Sequence, residues 1–347
     1  MIPALSEDCM RPLFYYWYHK LPEWSQWPEE TRLELEREAK RQFLIEMARR
    51  EETQKILAKF ADKSVEVLVL KGAAMGALYY PQAGLRPCED TDLLIQEKDR
   101  ENVDAVMQAL NFKRDNQISG RLVNFQFTWY RYDELQMLHT YDFHLKISNA
   151  HVFSNTFGFE ELKRDAIPVA ALGPFACTLP PAQALLYACM HRVAHHYDDE
   201  HAIWLYDIHL LAQKVHWPDF IQLAKEKKMR AVCLRGLQLT QKRFQTQLPE
   251  NWENLLAGHL EAEPSSIFLK TVRSRSGVIF SDLKALSSWQ DQVQLILEHL
   301  FPPVSYMKEK YSIKNPIWLP LLYVYRIARG CVSSILSTAN LHLAKNR

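Results

Sequence analysis

The chain has 347 residues, of which 48% are hydrophobic and 24% charged, as in an ordinary globular protein long enough for two domains. Its 42 basic and 41 acidic residues leave a formal charge of +1, which disfavours non-specific nucleic-acid binding because phosphate contacts need a basic surplus. The six cysteines have no CxxC spacing. This favours reduced thiols in a cytoplasmic protein over a disulfide framework or a zinc knuckle.

Neither end of the sequence has the pattern of a membrane segment. Met1–Lys20 combines early acidic residues with aromatic ones, unlike the clean apolar core of a signal peptide. The most apolar late stretch, Ile317–Leu336, contains Pro320, Arg326 and Arg329, so it would make a poor membrane span. We expect a packed amphipathic helix there, with a surface membrane anchor as the alternative.

The first part of the chain predicts a helical lead-in. Aromatic residues crowd Phe14–Tyr18, and we expect a helix within Met1–Trp27. A long helix should then begin at Pro28, a residue favoured in the first helical turn, with Glu29 and Glu30 at its positive end. Apolar residues recur near helical spacing from there to about residue 60.

A central stretch follows, in which the element type changes twice. Val65–Leu70 alternates like a strand, Lys71–Gly72 breaks it, and Ala73–Tyr80 has the composition of a short buried helix. A second strand then begins at Asp90 and Asp92, whose side chains project from one face. Two aligned carboxylates repel each other unless a cation lies between them, and a divalent metal ion is the usual solution.

Two more strands are predicted after a helix at Lys98–Leu110. Leu122–Tyr130 and Met137–Ile147 both alternate between apolar and polar residues. In the second, alternation places Asp142 and His144 on the polar face of the sheet. All four predicted strands should share one sheet, so that a third carboxylate can join the first two.

The rest of the chain predicts helices and little further strand. Pro and Gly residues after about residue 149 lead into a helical region. Helices are expected there at Pro181–His196, Ala202–Val215, Trp217–Lys227, Ala231–Thr246, about Ser265–Phe268 onward, Ser288–Leu300 and Trp318–Leu336. The predicted class is therefore α+β. It has a helical lead-in at 1–62, an α/β core with a mixed sheet at 63–150 and a mainly helical domain at 151–347.

This order of elements resembles the DNA polymerase beta-like nucleotidyltransferase superfamily. The stretch LKGAAMGALYYPQAGLRPCEDTDLLI is more narrowly similar to the bacterial uncharacterised nucleotidyltransferase family, whose members carry Lys-Gly in place of the usual Gly-Ser. Later landmarks of that family are also present, from the first strand to the end of the chain: Asp142-Phe143-His144, a His-rich helix leading to Trp204-Leu205-Tyr206-Asp207, and Phe301-Pro302-Pro303.

The resemblance implies an enzyme that moves a nucleoside monophosphate from a nucleoside triphosphate (NTP), ATP among them, to an acceptor hydroxyl with release of pyrophosphate. Asp90, Asp92 and Asp142 would be both its catalytic residues and its ligands for Mg²⁺ or Mn²⁺. Asp142 would also help to accept the proton of the hydroxyl. His144 is expected to contact these ligands rather than the metal.

Three residues are predicted to bind the nucleotide. Lys71 and Gly72 lie at a helix N-terminus, where free N–H groups favour phosphate; Gly72 permits close approach and Lys71 adds a positive charge. Arg86 is either a second phosphate ligand or the counter-charge of the carboxylates. Ala73 stands where the superfamily usually has Ser, which leaves the triphosphate contacts open.

A histidine cluster admits three interpretations. His191 and His195 have the i, i+4 spacing of a metal pair, with His196 beside them. No Glu occupies the HExxH position, so we favour histidines hydrogen-bonded within the helical core, with Asp207 as a candidate partner, over a zinc site. A place in the substrate pocket is the third interpretation.

The acceptor is left open by the sequence, as are the base of the NTP and the oligomeric state. A small molecule, a protein side chain and an RNA end are all compatible, and the near-neutral charge disfavours RNA. The alternative to an enzyme is a non-catalytic nucleotide-binding or partner-binding module on the same fold, which would have no need of three converging acids. A zinc hydrolase centred on His191 and His195 would require a third ligand near them.

Overall fold

The computed structural model describes residues 9–258, 260–271, 275–313 and 315–330. Within them the fold is α+β, as predicted, with a small mixed sheet between helical regions. The strands are β1 Leu68–Leu70, β2 Thr91–Leu94, β3 Lys113–Arg114, β4 Gln126–Tyr132, β5 Leu138–His144, β6 Ile167–Pro168 and β7 Cys177–Thr178.

The helices fall into two groups. Those up to the last strand are α1 Arg11–Tyr18, α2 Glu29–Asp62, α3 Lys71–Leu78, α4 Arg100–Ala109, α5 His151–Ser154 and α6 Phe159–Arg164. Those after it are α7 Pro181–His196, α8 Ala202–Ala212, α9 Trp217–Glu226, α10 Arg230–Phe244, α11 Trp252–Ala257, α12 Pro264–Thr271, α13 Arg275–Ala285, α14 Trp289–Leu300, α15 Val304–Lys310 and α16 at residues 319–330.

The main sheet has the strand order β1-β2-β5-β4-β3, in which β2 and β5 are parallel and the other pairs antiparallel. The prediction that the four predicted strands, observed as β1, β2, β4 and β5, share one sheet is confirmed. β4 begins at Gln126 rather than at Leu122, because backbone N–H groups before it are bound by side chains: Leu122 donates to Glu298 and Phe125 to Asn149. In the described residues the last strand ends at Thr178, as expected.

Both faces of the sheet are covered. On one face Leu93 and Phe143 pack with Phe60 of α2 and Val103 of α4. On the other face the apolar side chains, Leu94 among them, join the core of the helical region that includes α7, α8 and α10. This second face is the one predicted to be polar, so its polar residues are buried beneath helices instead of facing solvent. The domain boundaries at 62 and 150 stay predictions.

Most predicted helices are present with ends shifted by a few residues, and α7 has the predicted bounds. The helix predicted within Met1–Trp27 is α1, followed by a 3₁₀ turn at Pro22–Gln26; residues 1–8 lie outside the described part. The helix predicted at Trp318–Leu336 is described as far as residue 330, and α16 contacts the end of α14 through the bond from Arg326 to the His299 carbonyl. No helix among the described residues is long and apolar enough to cross a membrane.

Candidate active site

Three carboxylates meet on the buried polar face of the sheet. Asp90 directly precedes β2, Asp92 lies within β2, and Asp142 lies opposite Asp92 on the parallel strand β5. Each can offer one ligand atom within 4.8 Å of the others, and no further group of three or more His, Cys, Asp or Glu side chains with this property occurs in the described part of the chain. The structure thus brings the three predicted residues together; their role as metal ligands stays a prediction.

Asp92 is the most strongly held of the three. Its Oδ1 atom is 2.7 Å from the Lys71 ammonium and 2.8 Å from Nε2 of His144, and only 5% of the residue is exposed. Asp142 accepts a hydrogen bond at Oδ1 from the Thr128 hydroxyl on β4. Among the described residues the hydrogen bonds of both carboxylates end on Oδ1, which leaves each Oδ2 available.

The three carboxyl groups differ in their electrostatics. Burial raises the pKa of Asp90 to about 6, and the charges of Asp92 and Asp142 act in the same direction. Burial also raises the pKa of Asp142. Burial would raise the pKa of Asp92 as well, but Lys71 and His144 outweigh it and hold that pKa below its usual range. The cluster therefore has one secured anion and two carboxylates that a further cation would stabilise.

Lys71 has an unusual backbone for its residue type. It is the first residue of α3 and has φ of 45°, in the left-handed region that a lysine adopts only at a cost. Its side chain is 19% exposed. Burial would lower the pKa of Lys71, but the Asp92 carboxylate raises it on balance, so the ammonium stays charged. The partner of Lys71 in this structure is thus Asp92, and its contact with phosphate stays a prediction.

Gly72 and Arg86 are packed against each other. A Cβ added at Gly72 would lie 3.0 Å from Nη1 of Arg86 and 3.0 Å from Cβ of Cys88, so close packing alone gives a reason for glycine here. Arg86 pairs with Asp207 of α8, with Nη2 at 2.8 Å from Oδ2. Its ion-pair partner is therefore Asp207 and neither Asp90 nor Asp92. Binding of nucleotide by Gly72 and Arg86 stays a prediction.

The predicted candidate partner of the histidines, Asp207, has other contacts. Besides Arg86 it binds the hydroxyl of Tyr80, at 2.7 Å. The histidines instead interact with one another and with neighbours: the rings of His191 and His195 stack at 4.8 Å, and the ring of His196 lies 3.8 Å from that of Trp204.

All three histidines line the same cavity as the carboxylates, which matches the substrate-pocket interpretation. Burial and the nearby Lys71 charge lower their pKa values, in the case of His196 to about 4. The imidazoles are therefore uncharged at neutral pH. His195 is also close to a polar partner outside the cluster, since its Nε2 atom lies 3.3 Å from the Ser148 hydroxyl.

The cavity between the sheet face and the helical region has a volume of about 480 Å³. Its sheet side holds cationic and anionic groups, and its helical side presents imidazole, phenol and indole rings with Asp207. The lining residues include Lys71, Gly72, Tyr79, Arg86, Asp90, Asp92, Asp142, Tyr187, His191, His195, His196, Trp204 and Asp207. Such a space can hold a small ligand between a charged wall on the sheet side and a wall of imidazole and aromatic rings on the helical side.

Sequence reasoning missed two residues of this site. Thr128 faces Asp142 across β4 and β5, and its position on the polar face of the alternating strand was the available signal. Tyr187 precedes His191 by one helical turn, so the i, i+4 spacing placed it on the same face of α7. Both contribute hydroxyl groups, whereas the side chains predicted for this site were carboxylates, histidines and basic groups.

Comparison with known proteins bears on this site. No curated protein matches the sequence. Among solved structures, the solution structure of the antibiotic-resistance factor ANT(2'')-Ia is similar over 56% of this chain and 98% of its own, with 14% identity and a TM-score of 0.38, a similarity too low to support an argument. The family model described as "Uncharacterised nucleotidyltransferase" matches residues 4–245, a span that contains all three carboxylates and the cavity. The chain therefore belongs to the uncharacterised nucleotidyltransferase family.

Proposed function

We propose that this protein transfers a nucleoside monophosphate from a metal-bound NTP to an acceptor hydroxyl and releases pyrophosphate. The observation that carries the proposal is the convergence of Asp90, Asp92 and Asp142 within 4.8 Å in a cavity that also contains Lys71 and the N-terminus of α3. Three acids in a buried cleft destabilise a protein unless they bind something positive. Family membership supplies the reaction class.

The residues present fit a divalent cation. All three donors are carboxylate oxygens, the ligand type that Mg²⁺ and Mn²⁺ prefer. The hydrogen bonds that hold Asp92 and Asp142 end on Oδ1, so that each Oδ2 is available for an ion. The raised pKa of Asp90, to about 6, reflects burial and a repulsion that a bound cation would relieve. When bound, divalent ions in such a site neutralise phosphate charge and activate the attacking hydroxyl.

The protein's own groups would act around the reacting atoms. A new bond joins the acceptor oxygen to the α-phosphorus, the bond from that phosphorus to the bridging oxygen breaks, and pyrophosphate leaves. Asp142 accepts the hydroxyl proton, and the hydrogen bond from Thr128 orients its carboxylate. His144 holds Asp92 in place. Lys71 and the free N–H groups at the start of α3 bind the phosphates, and Arg86 is a further phosphate ligand.

The proposed acceptor is a small molecule or a protein side chain. The formal charge of +1 disfavours an RNA end, because strand binding relies on many phosphate contacts. Reduced thiols, a supply of ATP and other NTPs, and free Mg²⁺ are all features of the cytoplasm, which we propose as the location. A non-catalytic nucleotide-binding or partner-binding module is the outcome that would replace this proposal if transfer fails.

The test is a transfer assay with each α-labelled NTP, Mg²⁺ or Mn²⁺, and cell extract as the source of acceptor. We expect metal-dependent pyrophosphate release and a labelled product from the wild type, with at least about a hundredfold loss in Asp142→Asn. Asp62→Asn is the matched control, because Asp62 lies at the exposed end of α2. Equal labelling by Asp142→Asn, or no release with any NTP, would contradict the proposal.

A further inference from the structure

Among the described residues, one buried hydroxyl in the cavity has no acceptor for its proton. Tyr187, in the second turn of α7, is only 3% exposed, and no group in the described part of the chain accepts a hydrogen bond from its Oη atom. Leaving a buried hydroxyl unsatisfied costs free energy. Because Tyr187 lines the cavity, a bound ligand can satisfy the hydroxyl once neighbouring side chains move aside, since the Oη atom itself has almost no exposed surface.

The charges around Tyr187 indicate what kind of ligand this is. The phenol oxygen interacts with Lys71 both through its charge and as a hydrogen-bond acceptor, and more weakly with Asp92 and Asp90. The phenol therefore faces the charged wall of the cavity. Burial raises the pKa of Tyr187, so the group stays protonated and can donate a hydrogen bond. A donor beside an ammonium group favours an anionic oxygen as its acceptor.

The phosphate-binding turn itself lacks a hydroxyl. Lys71 and Gly72 are followed by Ala73 and Ala74, whose side chains have no polar atom. Three hydroxyl-bearing residues line the cavity among the described residues: Tyr79, Thr178 and Tyr187. Thr178 already donates to the Val69 carbonyl.

Tyr79 differs from Tyr187 in its surroundings. Its hydroxyl is also buried and has no hydrogen-bond partner in the described part of the chain, but burial alone raises its pKa, with no contribution from Lys71 or a carboxylate. Tyr187 is thus the hydroxyl that lies beside the charged groups. Tyr79 provides a matched control for it.

We propose that Tyr187 binds the triphosphate from the helical wall of the cavity, by donating a hydrogen bond from Oη to a phosphate oxygen of the metal-bound NTP. This inference rests on the proposed function, since it requires the triphosphate to lie between Lys71 and the carboxylates. It assigns to α7 the hydroxyl contact that the turn at the start of α3 does not provide. The bound triphosphate would then contact both the sheet and the helical region, one on each side of the cavity.

The experiment is calorimetric titration of wild type, Tyr187→Phe and Tyr79→Phe with two probes, inorganic tripolyphosphate with Mg²⁺ and an NTP with Mg²⁺. Tyr187→Phe should raise the Kd for both probes by about tenfold or more, as expected for a lost hydrogen bond to a charged group. Tyr79→Phe should leave the Kd for tripolyphosphate unchanged. The Tm of free Tyr187→Phe should not fall, because the hydroxyl proton has no acceptor among the described residues and Lys71 keeps its bond to Asp92.

Three results would overturn the inference while leaving the proposed function intact. The first is an unchanged Kd for tripolyphosphate in Tyr187→Phe. The second is weaker binding of the NTP alone, which would mean that the hydroxyl contacts the nucleoside. The third is a lower Tm or a failure of the variant to fold, which would reveal a structural partner of the hydroxyl. If wild type binds neither probe, the proposed function fails and this inference fails with it.

Discussion

Asp92 and Asp142 stand directly opposite each other on the neighbouring parallel strands β2 and β5, yet they are stabilised very differently. Asp92 accepts hydrogen bonds from both Lys71 and His144 on one oxygen, whereas the Thr128 hydroxyl is the one partner that Asp142 has among the described residues. Asp90 completes the cluster, and its pKa is raised to about 6 by burial and by the other two charges. Removing a charge should therefore have opposite effects at different members of this cluster.

Asp90→Asn should stabilise the metal-free protein, because it removes a buried charge that repels two others. The expected gain at pH 8 is about 1–3 kcal/mol in the free energy of unfolding, from the size of the pKa shift. Asp92→Asn should instead destabilise it by about 3 kcal/mol, because the buried Lys71 ammonium loses its anion. Urea denaturation with a chelator present measures both. A less stable Asp90→Asn protein would mean that the carboxylates do not repel one another.

Lys71→Met should change metal and nucleotide affinity in opposite directions. Without the ammonium, Asp92 is free of a competing cation, so Mn²⁺ alone should bind several-fold more tightly. Mn²⁺-dependent NTP binding should weaken by about tenfold, because the phosphates lose a positive charge. Met bears the same backbone cost as Lys at φ of 45°, so the change reports the charge.

Calorimetry with Mn²⁺, with and without NTP, provides the measurement for Lys71→Met. Lys59→Met, on the exposed surface of α2, is the control. An unchanged affinity for Mn²⁺ alone would show that Lys71 does not compete with the metal.

Asp282 on α13, which is not among the residues that line the cavity, should make the free energy of unfolding depend on pH. It accepts a hydrogen bond from the backbone N–H of His151 at 2.7 Å, and burial raises its pKa to about 7. The folded state therefore binds the proton of the Asp282 carboxyl group more tightly than the unfolded state does. The associated stability is present below about pH 4 and is lost as the pH rises through about 7.

Asp282→Asn removes this titration. The free energy of unfolding of the variant relative to wild type should increase from pH 4.5 to pH 8, by up to about 4 kcal/mol. Urea denaturation at several pH values measures the difference, and comparison with wild type cancels other titrating groups such as Asp90. A difference that does not change with pH would contradict the assignment.

Gly120 and Glu298 should be energetically coupled. Glu298 of α14 accepts backbone hydrogen bonds from Arg121, Leu122 and Val123, and a Cβ added at Gly120 would overlap its Oε2 atom. Gly120→Ala should cost about 2 kcal/mol, since Glu298 can move only by giving up those bonds. Glu298→Ala should cost a similar amount.

Once Glu298 is absent, Gly120→Ala should add little, and a double-mutant cycle tests this. Gly258→Ala is the control, because the added Cβ would meet Arg230 at an ordinary 3.7 Å. Additive costs in the cycle would contradict the coupling.

The local parts of the fold were predictable. Strand alternation predicted the shared sheet and placed Asp92 and Asp142 on one face, because side-chain direction in a strand follows from period two alone. Helical spacing likewise predicted α7 from its first residue to its last. These features depend on residues near one another in sequence.

The long-range pairings were not predictable. The partner of Arg86 is Asp207, and which acid it meets depends on how α8 docks against the sheet region. The alternation that placed His144 on a polar face could not show that helices bury that face, leaving His144 2% exposed. The bonds of Glu298 to the segment before β4 could not be predicted either, since they join segments far apart in sequence.

The central claim is that Asp90, Asp92 and Asp142 form a metal site for NTP. The most direct test is calorimetric titration of wild type, Asp90→Asn and Asp92→Asn with each NTP, with and without Mg²⁺. Wild type should bind an NTP only when Mg²⁺ is present. Both variants should lose at least about tenfold in affinity, and Asp90→Asn should do so while folding more stably than wild type. Metal-independent NTP binding by wild type, or an affinity in both variants equal to that of wild type, would contradict the account and favour a non-catalytic binding module.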